Sequence, residues 1–246
     1  MPEGSACPLV AGVDGCPGGW VAVLRNGAAD PAPRIALLGN FSGLLALDPA
    51  PAVFAVDMPI GLAGRSGLGG RGPERHVRRH LGARQSSVFS LPARASVMCE
   101  DYREACRVAL ATSEPPRKVS KQAFNLFPKI REIDALMTPE LEARVYEVHP
   151  ELGFWRLNGG TEMSLPKKIR NEGSMPGIEQ RQALLECHGF PASFWRQPRP
   201  SGVGADDLVD AAVNAVIAER IWKGEAQAFP HDFERDAKGL RMAIWA

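Results

Sequence analysis

Two apolar, β-prone runs of the 246-residue chain each end on an aspartate: Leu9–Val13 leads into Asp14, and Val53–Val56 leads into Asp57. A third run, Arg144–Val148, passes into Glu147-Val-His149-Pro-Glu151, and a late segment, Asp206-Asp-Leu-Val-Asp210, opens a long apolar stretch. A carboxylate at the end of a buried strand is costly to desolvate unless a proton, a metal or a hydrogen-bond donor compensates it. Asp207 and Asp210, three residues apart, share one helix face, and two acids on a buried face call for a cation. Oxygen-only ligand sets suit hard divalent cations such as Mg²⁺ or Mn²⁺ rather than zinc. Three or four such carboxylates suit two-metal phosphoryl transfer, in which one ion activates water and the other stabilises the leaving oxygen. Each acid also has a plainer use. Asp14 can bond its own turn backbone, and Asp206 or Asp207 can cap a helix. Asp210, one turn deeper, is harder to assign to capping.

The elements that must position these acids are legible in order. Leu9–Asn26 reads as a hairpin turned by the Gly/Pro cluster at 15–19. Arg34–Leu38 is a third strand, Phe41–Leu47 a short helix, Val53–Val56 a fourth strand and Arg144–Val148 a fifth. A meander, a helix and then a fully apolar strand predict an α/β fold with a five-stranded mixed sheet of order 3-2-1-4-5, strand two antiparallel to its neighbours. Strands one and four, about 4.8 Å apart, would bring Asp14 beside Asp57. The reading is of one domain, 1–246, with a basic and helical insertion at about 61–143. That insertion starts with a loop of six glycines (61–72), taken equally as a lid or a plain surface loop, and continues with a helix at Pro73–Leu81. Ser86–Arg94 is expected to be extended, and Asp101–Leu110 and Lys121–Met137 helical. Further on, Leu165–Gly177 reads as a polar loop carrying Lys167, Lys168 and Arg170, and Ile178–His188 as an amphipathic helix. Leu208–Ala218 is expected to be a helix buried on most sides.

Net charge is +1 and 45% of residues are hydrophobic, so whole-molecule charge favours no polyanionic partner and the chain can bury a core. Charge is uneven, however. Seven arginines (65, 71, 75, 78, 79, 84, 94) against Glu74 alone make a local basic segment. Arg75, Arg78, Arg79 and Arg94 are the candidates for holding backbone phosphates; a salt-bridge network or a protein interface is the competing use. His76 and His80 stand at i, i+4, but with no third ligand nearby they read as solvated histidines. Residues 147, 149 and 151 alternate onto one side if the chain stays extended. Five cysteines without a CxxC pair indicate neither a disulfide framework nor zinc. With no leader-like opening and no apolar run of 18 residues, the expectation is a cytoplasmic protein with no membrane partner.

Five motifs in order carry a family resemblance. Gly-Val-Asp14-Gly-Cys-Pro-Gly-Gly-Trp, Val-Asp57-Met-Pro-Ile-Gly-Leu, Ser-Val-Phe-Ser-Leu-Pro-Ala-Arg94, Glu147-Val-His-Pro-Glu151 and Asp206-Asp-Leu-Val-Asp210-Ala resemble the bacterial family of unknown function described as predicted RNase H-like nucleases. The resemblance spans nearly the whole chain. It implies an RNase H-like fold near the RuvC-like resolvases, with metal ligands at Asp14, Asp57, Asp207 and Asp210. Glu151 joins these four as a catalytic residue by matching a motif of the family. The implied activity is Mg²⁺- or Mn²⁺-dependent, two-metal hydrolysis of phosphodiesters, with nucleic acid as partner. Sugar kinases and Hsp70-like ATPases share the strand pattern, so nucleotide or small-phosphoester turnover is the alternative, and a non-catalytic binding module is a third.

Overall fold

Alternation along the strands decides which side chains can reach which helix. The computed structural model describes residues 7–28, 30, 32–169 and 172–246. Arg170, read as part of the polar loop, and residues 1–6, read for a leader, lie outside them. The central sheet contains β1 (Val10–Cys16), β2 (Gly19–Arg25), β3 (Arg34–Leu38), β4 (Val53–Val56) and β5 (Val145–Glu147), in the order β3-β2-β1-β4-β5. β2 runs antiparallel to β1 and β3, whereas β4 is parallel to both β1 and β5. The predicted order and the antiparallel second strand are therefore observed.

Eight helices are described: α1 (Phe41–Leu45), α2 (Gly72–Arg78), α3 (Arg94–Val97), α4 (Tyr102–Thr112), α5 (Lys121–Leu136), α6 (Pro150–Leu157), α7 (Met175–Glu186) and α8 (Ala205–Lys223). Ala11, Val13, Trp20, Ala22, Phe54 and Val56 point to one face, where they pack with Phe127, Ile130 and Ile133 of α5. Val21 and Val23, with Val10, Val53 and Ala55, point to the other face and pack against α8. Asp14 continues the parity of Val10 and Gly12, and Asp57 continues that of Val53 and Ala55, so both acids emerge on the α8 face. Gly12 lets α8 approach. A Cβ there would lie 1.9 Å from the Ala215 nitrogen and 2.2 Å from the Ala211 oxygen.

Several local readings are corrected. The fifth strand stops at Glu147, and Pro150 starts α6 in its first turn, where its fixed φ suits a helix. The alternation of 147, 149 and 151 therefore fails: Glu151 lies in a helical turn. Ser86 and Ser87 belong to a 3₁₀ turn (Gly82–Ser87), and Arg94 starts α3, so only the centre of 86–94 lacks helical structure. Pro92 restricts only the residue before it. The polar loop contains a small antiparallel ribbon, Lys168–Ile169 with Glu172–Gly173. The tail after Gly224, which offered no sequence signal, forms another, Ala228–Phe229 with Ile244–Trp245. No helix among the described residues is long and apolar enough to cross a membrane.

Candidate functional site

The acids meet where β1 and β4 end. Val13 pairs with Val56, and the Asp57 backbone N–H donates to the Val13 carbonyl at 3.0 Å, which sets Asp14 and Asp57 side by side. Asn214 of α8 donates from Nδ2 to that same carbonyl at 3.0 Å. This pins α8 to the strand one turn beyond Asp210. Asp14 and Asp210 are buried, and Asp57 is half-buried. Beside Asp14 and Asp57 opens a cavity of about 140 Å³, which Glu147, His149, Met58 and Phe89 also line.

Electrostatics bind the group together. Burial, then the charges of Asp57, Asp210 and Asp207, push the Asp14 carboxyl well above its usual range, while Lys167 opposes them. Burial and Asp210 raise Asp57 from 3.8 to about 8. Asp210 is raised to about 6 by burial, against the pull of Lys167. Like charges gathered out of water favour the protonated form unless a cation stands among them.

Such a cation is present in the fold. Lys167, whose side chain is 18% exposed, forms an ion pair with Asp210 Oδ2. Burial works against its charge, yet Asp210, Glu151 and Asp14 together hold its ammonium above the ordinary lysine value. Sequence reasoning saw Lys167 only as part of a polar loop. Asp14 Oδ1 accepts from the Gly15 N–H at 2.8 Å, so the local turn bond is also made. Neither Asp14 nor Asp57 has an ion-pair partner among the described residues. Asp210 Oδ1 is buried without a hydrogen-bond partner.

The remaining candidates have partners of their own. Asp207 Oδ2 accepts from the Gly204 N–H at 2.9 Å, serving the start of α8, and Asp206 pairs with Lys168 at 2.5 Å. Glu151 takes both its bonds from Arg181 Nη2 at 2.8 Å. Glu147 has the parity of Val145 and faces away from α8. Its Oε1 pairs with Arg71 at 2.6 Å and its Oε2 accepts from the Ile60 N–H at 2.7 Å. Arg71 also binds Glu74 and the Ile60 and Gly61 carbonyls, clamping both ends of the glycine-rich loop. Of the candidate phosphate binders, Arg94 bridges Asp134 and Asp236 at 2.7 and 2.6 Å. Arg78 donates to the carbonyls of Gly69 and Val88. Arg75 and Arg79 stay exposed, although Arg75 also donates to the Gly70 carbonyl at 2.7 Å. His80 is packed against Trp155 and Phe229 rather than solvated.

Oxygen donors, two uncompensated carboxylates and the unpartnered Asp210 Oδ1 fit a hard divalent cation in kind. The side-chain positions fit less closely: among the described residues, no three His, Cys, Asp or Glu side chains are gathered into one metal-holding group. A family model described as "Protein of unknown function (DUF429)" matches residues 12–235. No curated protein and no solved structure matches the chain.

Proposed function

The chain belongs to this DUF429 family of unknown function, and we propose that it is a divalent-metal-dependent hydrolase of phosphodiester bonds in nucleic acid, on an RNase H-like fold. The observation that carries this reading is the meeting of Asp14, Asp57 and Asp210 on one face at the ends of parallel neighbours β1 and β4. The sheet order and antiparallel second strand expected from the strand pattern are compatible with such a fold. Asp14, Asp57 and Asp210 Oδ1 would hold Mg²⁺ or Mn²⁺. A bound ion of this kind lowers the pKa of water and neutralises charge on the phosphoryl oxygens.

The chain's own residues do the rest. Glu147 and Arg71 fix the loop that follows Asp57, through the bonds to Ile60 and Gly61. Met58 and Leu91 give the cavity apolar walls, which strengthen electrostatic interactions inside it. Phe89, 37% exposed on the cavity lining, offers a ring face to a base. Arg75 and Arg79 are left for backbone phosphates. The test is incubation of the metal-stripped chain with labelled single- and double-stranded oligonucleotides and with ATP, with and without Mn²⁺. We expect Mn²⁺-dependent oligonucleotide cleavage that Asp14→Asn abolishes. Turnover of ATP alone would overturn the nucleic-acid reading in favour of small phosphoesters.

A further inference from the structure

Resting on the metal reading above, we infer that Lys167 supplies one of the two cationic positions of this centre, so that the chain takes a single divalent ion where a two-metal site would take two. Charge balance carries the inference. Glu151 is matched by Arg181, and Glu147 by Arg71. Asp207 Oδ2 is held by the Gly204 N–H at the start of α8, so the acids left at the junction are Asp14, Asp57 and Asp210. Lys167 Nζ sits on Asp210 Oδ2 and answers one of these three charges. Once Asp14 and Asp57 ionise to take a metal, their two negative charges match one divalent ion.

Placement agrees with the charge count. Lys167 precedes the ribbon Lys168–Ile169/Glu172–Gly173, and its carbonyl accepts from the Ser174 N–H at 2.8 Å just before α7. The same α7 carries Arg181, which fixes Glu151 beside Lys167. The Leu165 carbonyl, two residues before Lys167, accepts from Arg181 Nη1 at 2.9 Å. A bond on each side therefore anchors the lysine's backbone, as a built-in cation requires. One oxygen of Asp210 is taken by an ammonium, and the other is left unpartnered.

The experiment is Mn²⁺ titration of the metal-stripped full-length chain by calorimetry, counting ions per chain for the wild type, Lys167→Gln and Lys167→Arg. We expect one ion for the wild type and for Lys167→Arg. Lys167→Gln should take a second ion, or bind the first at least about tenfold more tightly, because a unit charge within a few ångströms is removed. Two ions in the wild type would overturn the inference and leave the metal reading standing. An unchanged count and affinity in Lys167→Gln would do the same. No binding by any of the three proteins would remove the metal reading itself. Should Lys167→Gln fail to fold, the wild-type and Lys167→Arg counts still decide, since two ions in either contradict a built-in cation.

Discussion

At the scale of single residues, the centre is a group of acids whose protons report on it. Asp57 is raised from 3.8 to about 8, and Glu147 from 4.5 to about 7, in both cases mainly by burial. A carboxyl with a raised folded-state pKa binds its proton more tightly when folded. Its contribution to stability is therefore full below the unfolded value and lost as pH climbs through the folded one. His149, lowered by burial to about 4, has the opposite sign, but its contribution is complete by its ordinary 6.5. Without metal, the melting temperature should fall between pH 6.5 and 8.5, Asp57 alone accounting for roughly 2 kcal/mol of lost stability. Asp57→Asn should flatten part of that slope and be more stable than wild type at pH 8.5; a wild-type melting temperature that rises over this range would contradict the raised acid. Mn²⁺ should stabilise the wild type through binding to the native state alone and leave Asp14→Asn nearly unmoved, a comparison that thermal melts at millimolar metal will make.

At the scale of elements, the site depends on how close α8 lies to β1. Gly12 sits against the backbone of Ala211 and Ala215, which cannot swing aside as a side chain could. Gly12→Ala should cost at least the 1–3 kcal/mol typical of overpacking, read by denaturant unfolding, and should weaken metal binding in whatever fraction still folds. The buried pair Arg181–Glu151 is the second support. Arg181→Met alone should cost about 3–5 kcal/mol because it strands a buried charge, whereas Arg181→Met with Glu151→Leu should recover much of the loss. Elements with strong periodic or apolar signals were legible: the hairpin, β4 next to β1, and α8 with Asp210 on its inner side. The cations were not, because a lysine in a polar loop looks the same whether it faces water or Asp210. Arg181 did leave a trace, since it lies on the stripe of Ile178 and Leu185, both buried. An arginine on that stripe must have an acid opposite. The reading of 147, 149 and 151 as one extended face failed for a local reason: the proline at 150 starts a helix as readily as it ends a strand.

At the scale of the whole molecule, part of the basic segment is inward-looking. Arg71, Arg78 and Arg94 spend their donors on carbonyls and acids of this chain, so their removal should destabilise the fold rather than weaken a ligand. Arg65, Arg75 and Arg79 are exposed, and the last two are the candidates for phosphate. For nucleic acid, Arg75→Ala with Arg79→Ala should shallow the logarithmic salt dependence of affinity by about 0.9 for each duplex phosphate left unneutralised, or about 0.7 on a single strand. Fluorescence anisotropy across a salt series measures this; an unchanged slope would clear both arginines of phosphate binding. The α8 face of the sheet has one more consequence, in time rather than space. Val10, Val21, Val23, Val53 and Ala55 leave the ribosome long before the helix that covers them, which begins at Ala205. At about 5–20 residues per second, the nascent chain carries that bare apolar face for roughly 10–40 seconds. Over the same interval Asp14 and Asp57 lack Asp210, so the acidic centre stays incomplete until the chain has grown past residue 210.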